Sequence, residues 1–175
     1  CAGGVAKERW ATMSELHSSS PAMLVSAEIS TPPLRRQPVA LNTCLVVSTL
    51  ARRAQMWVRA AHEEQWITIV CTTADDANRQ AVRNKVDLAL VDLQSASAEL
   101  EPRLRILVEQ LAARKVPLLA VCGKPDDTMG EVWSRQLGVW MYLPGVDSHS
   151  DIALLCSEAR EILKKLGDQA AYALG

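Results

Sequence analysis

The chain is 175 residues long, the size of one domain with room for a sizeable core and some tail. Hydrophobic residues make up 49% and charged residues 22%, a globular balance that excludes wholesale disorder. The formal net charge of −1 leaves no basic footprint for nucleic acid and no attraction to an anionic membrane.

No apolar run reaches the roughly 18 residues of a membrane-spanning helix. Phe is absent although five Trp are present, so Leu, Val and Ala must fill the core. The five cysteines are Cys1, Cys44, Cys71, Cys122 and Cys156; they form no C-x-x-C pair, and no histidine lies at metal-ligand spacing. All but Cys1 fall in apolar runs or on an apolar helix face. They read as small buried hydrophobes in a reducing compartment, and a cytoplasmic location is expected. Cys1 is an odd first residue. CAGG would suit the lipidated start of a processed lipoprotein, but a fragment of a longer chain is the plainer reading.

Residues 1–40 contain HSSSPAM and STPPLRRQP, with Pro21, Pro32, Pro33 and Pro38 and no sustained period. VAKERWATMSEL suits a short helix; the remainder reads as a flexible N-terminal linker. From Leu41 the pattern changes. Short apolar runs at 41–49, 66–72, 86–93, 116–123 and 139–144 are continuous rather than alternating, which suits strands buried on both faces. Helix-period stretches separate them. Leu50, Ala54, Trp57, Val58 and Ala61 share one stripe after the first run. The third stretch carries Leu100, Leu104, Leu107, Val108 and Leu111. The last carries Ile152, Leu155, Cys156, Ala159, Ile162, Leu163 and Leu166. Residues 75–85 and 128–137 make two shorter helices, the first charged and capped at its start by Asp75 and Asp76, the second stopped by Gly138.

Five strands alternating with five helices imply an α/β fold, a doubly wound five-stranded parallel sheet in a flavodoxin-like three-layer sandwich with an N-terminal extension. The expected boundaries are 1–40 for the flexible segment, 41–168 for the domain and 169–175 for a tail. In such sheets the functional crevice lies at the carboxyl ends of the strands. Asp92, at the end of VDLALVDLQ, sits there.

The span from Leu41 to about Leu166 resembles the receiver domain of bacterial response regulators. ADDANRQAVRNKVDLALVDLQ is similar to the second helix and third strand of that family, which puts its phospho-accepting aspartate on Asp92. VPLLAVCG resembles the Pro-initiated fourth strand. LGVWMYLPG resembles the G-A-x-x-Y-L-x-K-P stretch, with Tyr142 on the switch aromatic. The chemistry carries over less well. The two Mg²⁺-holding acids after strand one are matched by Ser48 and Thr49, the strand-four Thr or Ser by Cys122, and the strand-five Lys by Gly145. Phosphoryl transfer rests on positioning and charge stabilisation, so losing the metal acids and the Lys slows it by several powers of ten. The resemblance therefore implies a degenerate pseudo-receiver: no catalytic residues, no cofactor, no enzyme activity, and a phosphorylation-independent interaction module in bacterial signal transduction. In that reading Asp92 is a structural acid, bonded to the Ser48 or Thr49 hydroxyl or to nearby backbone N–H groups.

Two alternatives stand beside it. In the first, Asp92 is a working phospho-acceptor in an atypical Mg²⁺ pocket, with Lys124 or Asp126 partly rebuilding the site. The second is a flavodoxin-like small-molecule binder, for which STLARR offers little phosphate loop. GKPDDT otherwise reads as a polar loop in which Asp127 caps the next helix. Asp147, Ser148 and His149 are adjacent and cannot face each other as a catalytic triad; they read as a solvated loop whose helix is capped by Ser150. No P-loop or G-x-G-x-x-G is present. Cys122 reads as buried and inert. Met129, Trp133, Trp140 and Tyr142 are the interface candidates, Trp140 and Tyr142 by sharing one face of the fifth strand. The resemblance places the surface for a protein partner, or a second copy, on helix four, strand five and helix five.

Overall fold

The computed structural model describes residues 41–173, with side chains through Gln169. The expected linker over 1–40 lies outside the described residues. Five strands, β1 (Thr43–Val47), β2 (Ile67–Cys71), β3 (Leu88–Asp92), β4 (Leu118–Gly123) and β5 (Met141–Pro144), alternate with five helices. These are α1 (Ala51–Glu63), α2 (Ala74–Arg83), α3 (Glu101–Ala113), α4 (Thr128–Gln136) and α5 (His149–Ala173). The strands pair in parallel in the order β2-β1-β3-β4-β5. The expected doubly wound α/β sandwich is what forms. Residues 169–173, expected as a tail, continue α5.

The continuous apolar runs work because each face of the sheet has its own core. Cys44, Val46, Leu88, Leu90, Ala120 and Cys122 point to one side, where Trp57, Ala60 and Ala61 of α1 meet Ile152, Leu155, Cys156 and Ala159 of α5. Leu45, Val47, Ala89, Val91, Leu119 and Val121 point to the other, against Ala77 of α2 and Leu104, Leu107, Val108 and Leu111 of α3. Fully burying one such Leu or Val contributes about 1.5–3 kcal/mol, so the two cores dominate the fold's stability. Trp57 is wholly buried and belongs to the core.

The helix starts differ in detail from the sequence expectation. α2 is capped by Thr73, whose hydroxyl accepts from Asp76 N–H at 3.2 Å, while Asp75 and Asp76 supply charge in the first turn. α5 is entered through Ser148, which accepts from Asp151 N–H at 3.1 Å, so Ser148 rather than Ser150 is the cap. Three residues from cap to donor is the spacing that a side-chain oxygen reaches. Asp127 caps α4 as expected, accepting from Gly130 N–H at 2.7 Å. Gly138 ends that helix with φ +76, the left-handed conformation that glycine adopts without a Cβ penalty.

β5 begins one residue after Trp140, and this overturns the shared face expected for Trp140 and Tyr142. Trp140 packs with the α1/α5 core beside Met141 and Leu143, whereas Tyr142 packs with the α2/α3 core beside Trp133. Strand alternation holds from Met141 onward but does not extend back through Trp140.

Candidate functional site

The carboxyl ends of β1, β3, β4 and β5 converge on Asp92. Its side chain is fully buried, so its two oxygens need partners. One accepts from the Ser48 hydroxyl at 2.7 Å, the other from Ser95 N–H at 3.1 Å. The acid is thus held by one hydroxyl and one backbone N–H. Thr49 is not among its partners: its hydroxyl donates to Ser95 O at 3.2 Å.

The third partner is Arg53, which no motif singled out. It lies in the first turn of α1 and is only 8% exposed. Its Nε sits 3.4 Å from the Asp92 carboxylate. Nη2 donates to Gln94 Oε1 at 2.7 Å and to Val146 O, and Nη1 donates to Asp147 Oδ1. The guanidinium lies over Trp57, 5.5 Å from the ring centroid, close enough for a cation–π contact. Gln94 Nε2 also reaches Asp147 Oδ1 at 3.4 Å. One side chain therefore ties α1, the β3–α3 loop and the β5–α5 loop together over the buried acid. Sequence reading missed Arg53 and Gln94, and read Asp147 only as part of a solvated loop. The one available signal was that α1 opens with two arginines and no acid, the reverse of what a helix N-terminus favours.

Two other positions that the resemblance matched are a buried thiol and a glycine of positive φ. Cys122 is the register partner of Asp92 on β4 and is fully buried. Burial, and then the neighbouring Asp92 charge, push its thiol far above the ordinary range, so it stays protonated. Gly145 has φ +66, and a Cβ there would meet Pro125 Cγ at 2.8 Å. A lysine cannot occupy that position without strain. A divalent cation fits this donor set poorly: the one buried carboxylate already faces a guanidinium. Among the described residues no group of three His, Cys, Asp or Glu side chains is placed to hold a metal.

Lys124 and Asp126 do not rebuild the pocket. Lys124 turns away to Glu101, 3.1 Å from its carboxylate, and Asp126 is exposed. Glu101 and Asp127 both bind Arg105, at 2.9 and 3.2 Å. Arg105 in turn stacks 4.7 Å from the Trp133 centroid. The Lys124 hydrogen bond, then Arg105, hold the Glu101 carboxyl below its usual range, against the opposing effect of burial. Tyr142 lies inward in this cluster, its hydroxyl 3.4 Å from Asp127 O. It occupies the space that a side chain at Gly123 would fill, and stands behind Asp127 in crowding Gly130. Of the interface candidates, Met129 is 76% exposed on α4, while Trp133, Trp140 and Tyr142 are half-buried.

No protein-family profile matches the chain, and no curated protein is significantly similar. Solved structures are. A receiver domain protein from Methanospirillum hungatei superposes with a TM-score of 0.58 at 18% identity, over 76% of this chain and 99% of that one. A receiver domain from Clostridium thermocellum gives 0.59 at 14%, over 72% and 99%. An orphan response regulator of H. pylori gives 0.55 at 12%, over 69% and 94%. The chain therefore has the response-regulator receiver fold.

Proposed function

We propose that this domain is a pseudo-receiver, a phosphorylation-independent interaction module of a bacterial, cytoplasmic signalling system. The observation that carries the reading is Arg53. In this fold the acid at the end of β3 is the position that an incoming phosphoryl group would need. Here a buried guanidinium stands against that acid and is anchored by Gln94, Asp147 and a backbone carbonyl. The acid's charge is met from within the chain, and the second carboxylate of the cluster, Asp147, is taken by the same guanidinium. Asp92 and Arg53 serve the structure of the rim, and the domain needs no cofactor.

Signalling then passes through surface contacts. α4 offers Met129 and Val132, both exposed, as apolar residues that a monomer gains nothing by presenting. Together with β5 and α5 they form the face proposed for a protein partner or a second copy. Tyr142 and Trp133 shape it from beneath.

The test is intact-mass spectrometry of the full chain after incubation with Mg²⁺ and a small phosphodonor, with NMR in beryllofluoride alongside. Neither an adduct nor shifts around Asp92 are expected. A stoichiometric adduct lost in Asp92→Asn would overturn the reading and make the protein a working switch. Met129→Lys should weaken partner capture or self-association and leave the unfolding midpoint unchanged.

A further inference from the structure

A second cavity opens on the same rim, at the carboxyl ends of β1 and β2, beside the point where strand order reverses between β1 and β3. Doubly wound sheets bind ligands at this edge. Its volume is about 280 Å³, and it is lined by Thr72, Thr73, Asp75 and Arg79 at the β2–α2 corner and by Leu100, Arg103 and Leu104 from the start of α3. A neighbouring cavity of about 290 Å³ continues between the two helices, and Asp75 and Arg103 line both. It is separate from the Asp92 pocket, whose acid and guanidinium do not line it.

Arg103 and Asp75 bring opposite charges to one space. Arg79, which also lines the cavity, is paired with Asp76, as Arg53 and Arg105 are paired with acids elsewhere on the rim. Arg103 and Asp75 have no side-chain partner among the described residues, although both line the same space. A simple anion would meet Arg103 but be repelled by Asp75, and a simple cation would meet the reverse. A ligand bearing both charges satisfies both. Leu100 and Leu104 add an apolar wall, and the Thr72 and Thr73 side chains add hydroxyls and methyl groups at the strand ends. The volume is at the small end of ligand sites.

We propose that this cavity binds a small zwitterion, a free α-amino acid with an aliphatic side chain. Its carboxylate would be taken by Arg103, its ammonium by Asp75 and its side chain by the two leucines. The site does not depend on whether Asp92 accepts phosphate; it would give the domain a chemical input of its own.

L-leucine is the probe, titrated into the full chain by calorimetry and by ¹H–¹⁵N NMR. Saturable binding is expected, with shifts confined to residues 49, 72–79 and 100–104. Isoamylamine and 4-methylpentanoate, each lacking one of the two charges, should bind more weakly by about tenfold or more, as should Arg103→Gln and Asp75→Asn. Both substitutions are at exposed positions; Arg103→Gln should match the parent chain's unfolding midpoint, and Asp75→Asn should fall only slightly below it through the loss of one first-turn charge. No saturation with L-leucine, shifts elsewhere, or equal binding of either one-charge analogue would overturn the proposal. The analogues decide it on the unaltered chain, whatever either variant does to folding.

Discussion

Replacing Arg53 should cost more than replacing the acid it faces. In Arg53→Met the Asp92 carboxylate stays fully buried but keeps only the Ser48 hydroxyl and Ser95 N–H. Removing one member of a buried pair leaves an uncompensated charge, at a cost of about 3–5 kcal/mol. In Asp92→Asn the guanidinium still holds Asp147, Gln94 and Val146 O. Asparagine can still accept from Ser95 N–H, so that loss should be about 1–3 kcal/mol. The double variant removes both charges together and should be less destabilised than the sum, by a coupling of about 0.5–3 kcal/mol. Urea denaturation measures all three, with an unchanged m-value as the sign that stability alone has moved. An Arg53→Met loss below about 1 kcal/mol, or a larger loss in Asp92→Asn, would refute the argument that Arg53 is the acid's essential counter-charge.

Gly123→Ala should destabilise by driving Tyr142 from its seat, since the added Cβ would lie 1.8 Å from the phenol oxygen. Combining it with Tyr142→Ala should cost less than the two single changes summed, and strict additivity in denaturation would contradict the close approach. Gly145→Lys, which restores the lysine of the receiver pattern, should lower stability by at least about 1 kcal/mol, because φ is +66 and Pro125 is in the way. It should also fail to produce a phospho-adduct in the mass assay; an unchanged midpoint or an adduct would count against this geometry. Glu101 contributes a pH term. Its folded carboxyl is held low by Lys124 and then Arg105, so its stabilisation is present above the usual carboxylate range and lost as pH falls through the lowered value. The term is below about 1 kcal/mol because Lys124 is half exposed and screened by salt. Glu101→Gln should flatten the acid limb of the stability profile, and an unchanged limb would remove Glu101 from the account.

The layering of the fold was readable in the chain because burial on both sheet faces demands uninterrupted apolar runs, which no surface element needs. Helix stripes such as Leu104, Leu107, Val108 and Leu111 then had only one place to go. The position of Asp92 followed from that layering, whereas the match of Ser48 and Thr49 to metal-holding acids rests on the resemblance alone. What could not be read was the direction of long polar side chains. Arg53 follows an arginine in the same turn and precedes Ala54 and Trp57 on the buried stripe, and linear pattern counts both arginines as solvent-facing. Only the folded chain brings Asp147 alongside, 94 residues away. The error over Trp140 has the same origin, since a period of two holds only inside a strand and the first residue of β5 is not marked by composition.

These two kinds of information bear differently on function. The loss of acids at Ser48 and Thr49 says only that receiver chemistry lacks its usual parts, and a rearranged pocket would remain open to it. Arg53 supplies a positive reason, because the cation that a phosphoryl site must recruit from solution is here covalently part of α1. Its bonds to Gln94 and Val146 O fix it further. A guanidinium does not give up its proton near neutral pH. Under the proposed reading the counter-charge beside Asp92 is therefore independent of metal concentration and of phosphodonor, as a module whose binding surface stands ready without an activating modification would require.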